Sequence, residues 1–136
     1  MQNEMKKLNY FKIGASSYML LGALHLVYLI STPKRPENVM QVYLKMKRTT
    51  FDFMGEHTVM QFYTGFSVMM GFMLFAFGFQ SFMIKQPSRS AIFANIFLSL
   101  IASIIAVIYF HPLAYTCLLF ATLCFTLCLI NSRNRT

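Results

Sequence analysis

The stretch SAIFANIFLSLIASIIAVIYFHPLAYTCLLFATLCFTLCLI, residues 90–130, contains no Asp, Glu, Lys or Arg, and a Phe110-His111-Pro112 turn divides it. About 20 apolar residues suffice to cross ~30 Å of hydrocarbon as an α-helix. One crossing fits on either side of the turn, so the stretch predicts two closely joined membrane helices, about 90–110 and 112–131. Working outward, residues 13–31 and 58–84 are comparably apolar. Four spans follow, and with them an all-α polytopic membrane protein in one domain of 136 residues. Composition agrees: 57% of the chain is hydrophobic, 12% is charged and the mean hydropathy is +0.54, away from the soluble range.

Lys6 and Lys7 precede the first apolar run and would suit an export signal. The run is too long for one, ends at Ser31-Thr32-Pro33 and lacks a small-x-small cleavage site, so it reads as the first span. With four spans both termini share a side. That side carries Lys6, Lys7, Lys12, Lys85, Arg89, Arg133 and Arg135, against Lys34, Arg35, Lys45, Lys47 and Arg48 on the other. The excess predicts cytoplasmic termini under the positive-inside rule. The net charge of +8 is accounted for by basic flanks on a membrane protein, which calls for a lipid surface and not for nucleic acid.

Residues 32–57 form the one long connection. After Pro36, Val39, Val42, Tyr43, Met46 and Phe53 fall on one face at helical spacing, with Glu37, Asn38, Gln41, Lys45, Arg48 and Asp52 on the other. An amphipathic helix over 37–54 is predicted, with Pro36 near its first turn and Gly55 at its end. It would lie in the membrane interface between the first two spans, as a packed connection, a lid or a docking surface.

Contact faces of helices in lipid are marked by small and polar residues, because hiding Leu from lipid gains little. Such stripes run through Gly14, Tyr18, Leu21, His25 and Tyr28; through Asn95, Ser99, Ala102, Ala106 and Tyr109; and through Ala114, Cys117, Ala121, Cys124 and Cys128. Steps of three and four residues give these sets heptad spacing, the pattern of an antiparallel four-helix bundle. The second span pairs Ser67, Gly71 and Gly78 with a ridge of Phe72, Phe75, Phe79 and Phe82, which would face lipid or another subunit. The cysteines share one helix face, too far apart or too parallel for disulfides, and read as small packed hydrophobes.

All three histidines belong to the membrane side opposite the termini. Together His25, His57 and His111 suggest a three-histidine metal site completed by Glu56 or Asp52, or else a haem ligated by His25 and one partner. Helical side chains lean toward their own N-terminus, which sets His25 deeper and turns it away from His57, so a shared metal is disfavoured. What remains is His25 on an inward face, either tied to a neighbouring helix by Tyr63, Thr64, Ser103 or Thr116, or fitted into a pocket left open by small residues. The candidate ligand-binding set is His25, Tyr28, Tyr63, Thr64 and Tyr109.

No catalytic residues are assigned. All four acidic residues lie outside the spans, and no phosphate loop, Ser-His-Asp set or H-E-x-x-H motif occurs. The order of parts, Gly22-Ala23-Leu24-His25 in the first span, a long amphipathic connection, a second span reading Tyr63-Thr64-Gly65-Phe66-Ser67-Val68-Met69-Met70-Gly71, then two joined spans, resembles small four-span bacterial membrane proteins of the DoxX-like group. That resemblance implies the bacterial cytoplasmic membrane and, for some relatives, a role as accessory subunits of redox systems. Two functions are therefore expected: a non-catalytic accessory or interaction subunit, in contact with other membrane subunits or with copies of itself and needing no cofactor; or a protein that binds a lipophilic ligand, metal or haem around His25.

Overall fold

The computed structural model describes residues 2–31, 36–52 and 54–133. Five helices and a small hairpin follow in order: α1 (Gln2–Ile30), α2 (Glu37–Arg48), β1 (Thr50–Asp52), β2 (Glu56–Thr58), α3 (Val59–Met83), α4 (Arg89–Tyr109) and α5 (Pro112–Arg133). Four of the helices, within Leu8–Ile30, Val59–Met83, Arg89–Tyr109 and Pro112–Ser132, are long and apolar enough to cross a membrane. This is the polytopic all-α bundle expected from composition, the architecture of an integral membrane protein.

Local signals explain where the helices start. Thr58 and Gln61 form a capping box: Gln61 N donates to Thr58 Oγ1 at 3.1 Å and Thr58 N donates to Gln61 Oε1 at 2.9 Å. Ser88 caps α4 by accepting from Ala91 N at 3.1 Å. Pro112, without an N–H to leave orphaned, opens α5 as its first residue.

α1 is the central element. It packs along α3 on one side and α5 on the other, while α4 packs along α5. The α1–α3 crossing is close. A Cβ built on Gly22 would stand 2.5 Å from Phe75 N, and one on Gly78 would stand 2.6 Å from Ala15 O, so backbone meets backbone at both places. The pairs run in opposite senses along the two chains, which makes the helices antiparallel. Gly22 was not part of the stripe predicted for the first span; of that stripe, Gly14 faces α5, where it accepts the ring of Phe125. One span thus has two contact faces, because it has two neighbours.

Packing differs between the two ends of the bundle. Near the termini Phe11, Ile92, Phe125 and Cys128 are fully buried, with Phe11 and Phe125 rings 5.3 Å apart. A polar bond spans this end, Ser81 Oγ donating to Asn95 Oδ1 at 3.1 Å, and nearer the middle of the bundle Ser17 Oγ donates to the Cys117 carbonyl at 2.8 Å. None of Cys117, Cys124 and Cys128 forms a disulfide. On the outer side Phe72 and Phe79 of the predicted ridge are exposed, whereas Phe75 and Phe82 are half-buried.

The connection between the first two spans corrects the expected helix over 37–54. α2 is amphipathic and starts at Glu37, just after Pro36, as predicted, but it stops at Arg48, with Thr49 N and Oγ1 both donating to the Lys45 carbonyl. Thr49, Thr50 and Phe51 are β-branched or aromatic; Thr49 is the extended cap, and the strand follows from Thr50, pairing Thr50 with Thr58 and Phe51 with His57. Gly55 is no helix end: it sits at the hairpin tip with φ 129°, beside Met54 at φ 56°. Phe53, assigned above to the apolar face, and the charges Lys34, Arg35 and Arg135 lie outside the described residues.

Candidate ligand cavity

At the end of the bundle away from the termini the four membrane helices border a half-open cavity of about 710 Å³. α3 and α4 meet at Ser81–Asn95 beside the loop that joins them, and the space opens between them farther along. From α1 the lining comes from Leu21, Leu24, His25, Val27, Tyr28 and Ser31; from α3, Met70 and Leu74. Ala102, Ile105, Ala106 and Phe110 line it from α4 and the residue that ends it, and His111, Leu113, Ala114 and Leu118 from the start of α5. The alanines leave the room that larger side chains would fill. From Leu21 to Ser31 the wall of α1 is about 15 Å long at the usual helical rise.

Four lining side chains are polar: His25, Tyr28, Ser31 and His111. Three of them stand at the helix ends. His25 alone lies inward, about 9 Å below Ser31 along α1. Its Nε2 donates to the Ser67 carbonyl at 3.0 Å, a bond from α1 to α3. The helix backbone of α3 is within reach because position 71 is Gly: a Cβ there would meet His25 Cδ2 at 3.0 Å and Leu26 Cδ2 at 2.9 Å. None of the partners expected for the imidazole holds it. Ser103 donates to the Ser99 carbonyl and Thr116 to the Leu113 carbonyl, each satisfying itself within its own helix.

His25 and Tyr28 of the predicted ligand-binding set line the cavity; Tyr63, Thr64 and Tyr109 do not. Tyr63 shares its helix face with Met70 but lies two turns, ~10.5 Å, nearer the end of α3, and is 50% exposed. Thr64 is exposed on the same outer turn. Tyr109 ends α4 and is 76% exposed. Of the candidate metal ligands, His111 lines the cavity, whereas Glu56 and His57 are exposed on β2. Among the described residues no three His, Cys, Asp or Glu side chains stand together as a metal set would. α2 does not cover the cavity; it packs on α3 and the hairpin.

Sequence reasoning missed His111, Ser31 and Met70 as cavity residues. The signal for His111 was the Phe-His-Pro turn, which fixes it where α4 and α5 diverge. Compared with protein families, with curated proteins and with solved structures, the chain matches none.

Proposed function

We propose that this chain is a non-catalytic integral membrane protein that works by binding, and that it takes a lipophilic molecule into the cavity between its four spans. The observation that carries this reading is the cavity itself. Interiors of folded proteins are close-packed, so an apolar space of about 710 Å³ at one end of a bundle whose other end is tightly filled is the form of a ligand site. An apolar body would lie along Leu21, Leu74 and Leu118, with the polar head toward His25 and Tyr28. Among the described residues no carboxylate lines the cavity, which disfavours cationic substrates.

A titration of membrane lipid extract into the purified chain in lipid nanodiscs, read by native mass spectrometry, tests it. A retained small molecule, lost in Ala102→Phe, is the expected result; a chain that retains nothing in either form overturns the reading. The same preparation reports on a haem or metal at His25, through absorption and metal content against His25→Ala.

An accessory role in a larger membrane assembly is supported by a separate feature. Phe66, Met69, Phe72, Met73 and Phe79 of α3 are all about half exposed and form an adaptable apolar face. The outline likeness to DoxX-like proteins agrees with such a role, in a bacterial cytoplasmic membrane with the termini inside and α2 in the interface. Mild-detergent purification yielding a lone monomer would count against it.

A further inference from the structure

We propose that the cavity selects lipophilic molecules whose head group donates a hydrogen bond, an alcohol or a phenol, over equally apolar molecules whose head only accepts. This rests on the cavity-binding reading above and specifies the chemistry of its occupant. A backbone carbonyl cannot donate, so in the bond between His25 and Ser67 the proton belongs to Nε2. In the neutral ring Nδ1 then carries a lone pair and no proton.

That nitrogen is available. His25 makes no other hydrogen bond among the described residues, and among them no buried side-chain nitrogen or oxygen lacks a partner. Nδ1 is therefore not sealed in the packing between helices but open at the surface of a residue that lines the cavity. Because His25 is the one inward polar group, it meets the head of a molecule seated to full depth, while Tyr28 and Ser31 stand nearer the mouth. A hydroxyl head would satisfy Nδ1. A ketone, ester or ether head would set one lone pair against another and forfeit its hydrogen bonds to water as well.

The test uses a para-alkylphenol and its methyl ether, two probes of nearly equal shape and hydrophobicity that differ in one donor. Each is titrated calorimetrically into the full chain in lipid nanodiscs, with empty nanodiscs as the blank. The phenol is expected to bind about tenfold tighter, and His25→Phe to abolish the difference while leaving the ether's affinity in place. Equal affinities, or a tighter ether, overturn the selectivity and leave the cavity reading standing. Binding of neither probe overturns both. Since His25→Phe also removes the tie to α3, an NMR measurement on the unaltered chain with isotope-labelled histidine supplies a second readout. A protonated Nε2 and bare Nδ1 are expected; the opposite tautomer sinks the proposal.

Discussion

Tyr18 donates its hydroxyl hydrogen to Ser99 Oγ at 2.9 Å, joining the first and third membrane helices across the bundle. Both residues sit one turn below cavity-lining neighbours, Leu21 on α1 and Ala102 on α4. The bond therefore closes the cavity floor, and the edge-on contact of the Tyr18 ring with Phe77, centroids 4.8 Å apart, brings α3 to the same level.

Removing that hydroxyl keeps the ring packing and deletes one bond. Tyr18→Phe should lower stability by ~0.5–1.5 kcal/mol, the range of interhelical bonds in membranes, measured by unfolding in mixed micelles. An unchanged midpoint would mean that the floor is held by packing alone.

Two glycines should respond with opposite sign to the same added methyl group. At Gly22 the new Cβ would meet Phe75 N at 2.5 Å and Gly71 O at 2.6 Å, backbone atoms that can yield only if α1 and α3 separate. Gly22→Ala is expected to cost ~1–3 kcal/mol. Gly65 lies in α3 with nothing within 4 Å of its Cβ position, so Gly65→Ala should gain up to ~1 kcal/mol from helix propensity. Equal responses would contradict the close crossing.

The hairpin tip offers a similar contrast in backbone conformation. Gly55 at φ 129° occupies a region L side chains rarely adopt, and Gly55→Ala should loosen the hairpin by ~1–2 kcal/mol. Met54, at φ 56° and 97% exposed, loses no packing when replaced, and Asn tolerates the left-handed region, so Met54→Asn should tighten it. Hydrogen exchange at the Val59 amide, which donates to the Thr49 carbonyl at 2.9 Å, reads both effects. Faster exchange in Met54→Asn would refute the argument.

Much of the fold was legible because bilayer solvation makes length and apolarity sufficient signals: the ends of α3, α4 and α5 fall close to the residues that hydropathy marked. The buried stripes at Asn95, Ser99 and Ala106, and at Ala114, Ala121 and Cys124, were legible for the same reason. The hairpin was not, since period alone carries an amphipathic pattern past Arg48 and only the β-branched run Thr49-Thr50 argues for a stop. The site was half legible. A residue's face can be read from spacing, but its depth depends on where neighbouring helices end, which is why His25 and Tyr28 fall within the cavity and Tyr63 and Tyr109 outside it.

Membrane orientation is open to direct measurement because the fold sets its loops on opposite sides. Glu56 is exposed at the hairpin and Lys85 in the loop between α3 and α4, separated by the full length of α3. The native thiols Cys124 and Cys128 are buried and Cys117 is half-buried, so a new exposed thiol should dominate labelling. The basic residues flanking the termini, with Lys85 and Arg89, favour that side as cytoplasmic. In intact cells an impermeant maleimide should label Glu56→Cys, while Lys85→Cys should react only after the membrane is opened. The reverse pattern would invert the orientation and turn the cavity mouth, which lies on the hairpin side with Ser31 and His111, toward the cytoplasm. Labelling of both variants in intact cells would be incompatible with an odd number of crossings between them, and so with α3 as a membrane span.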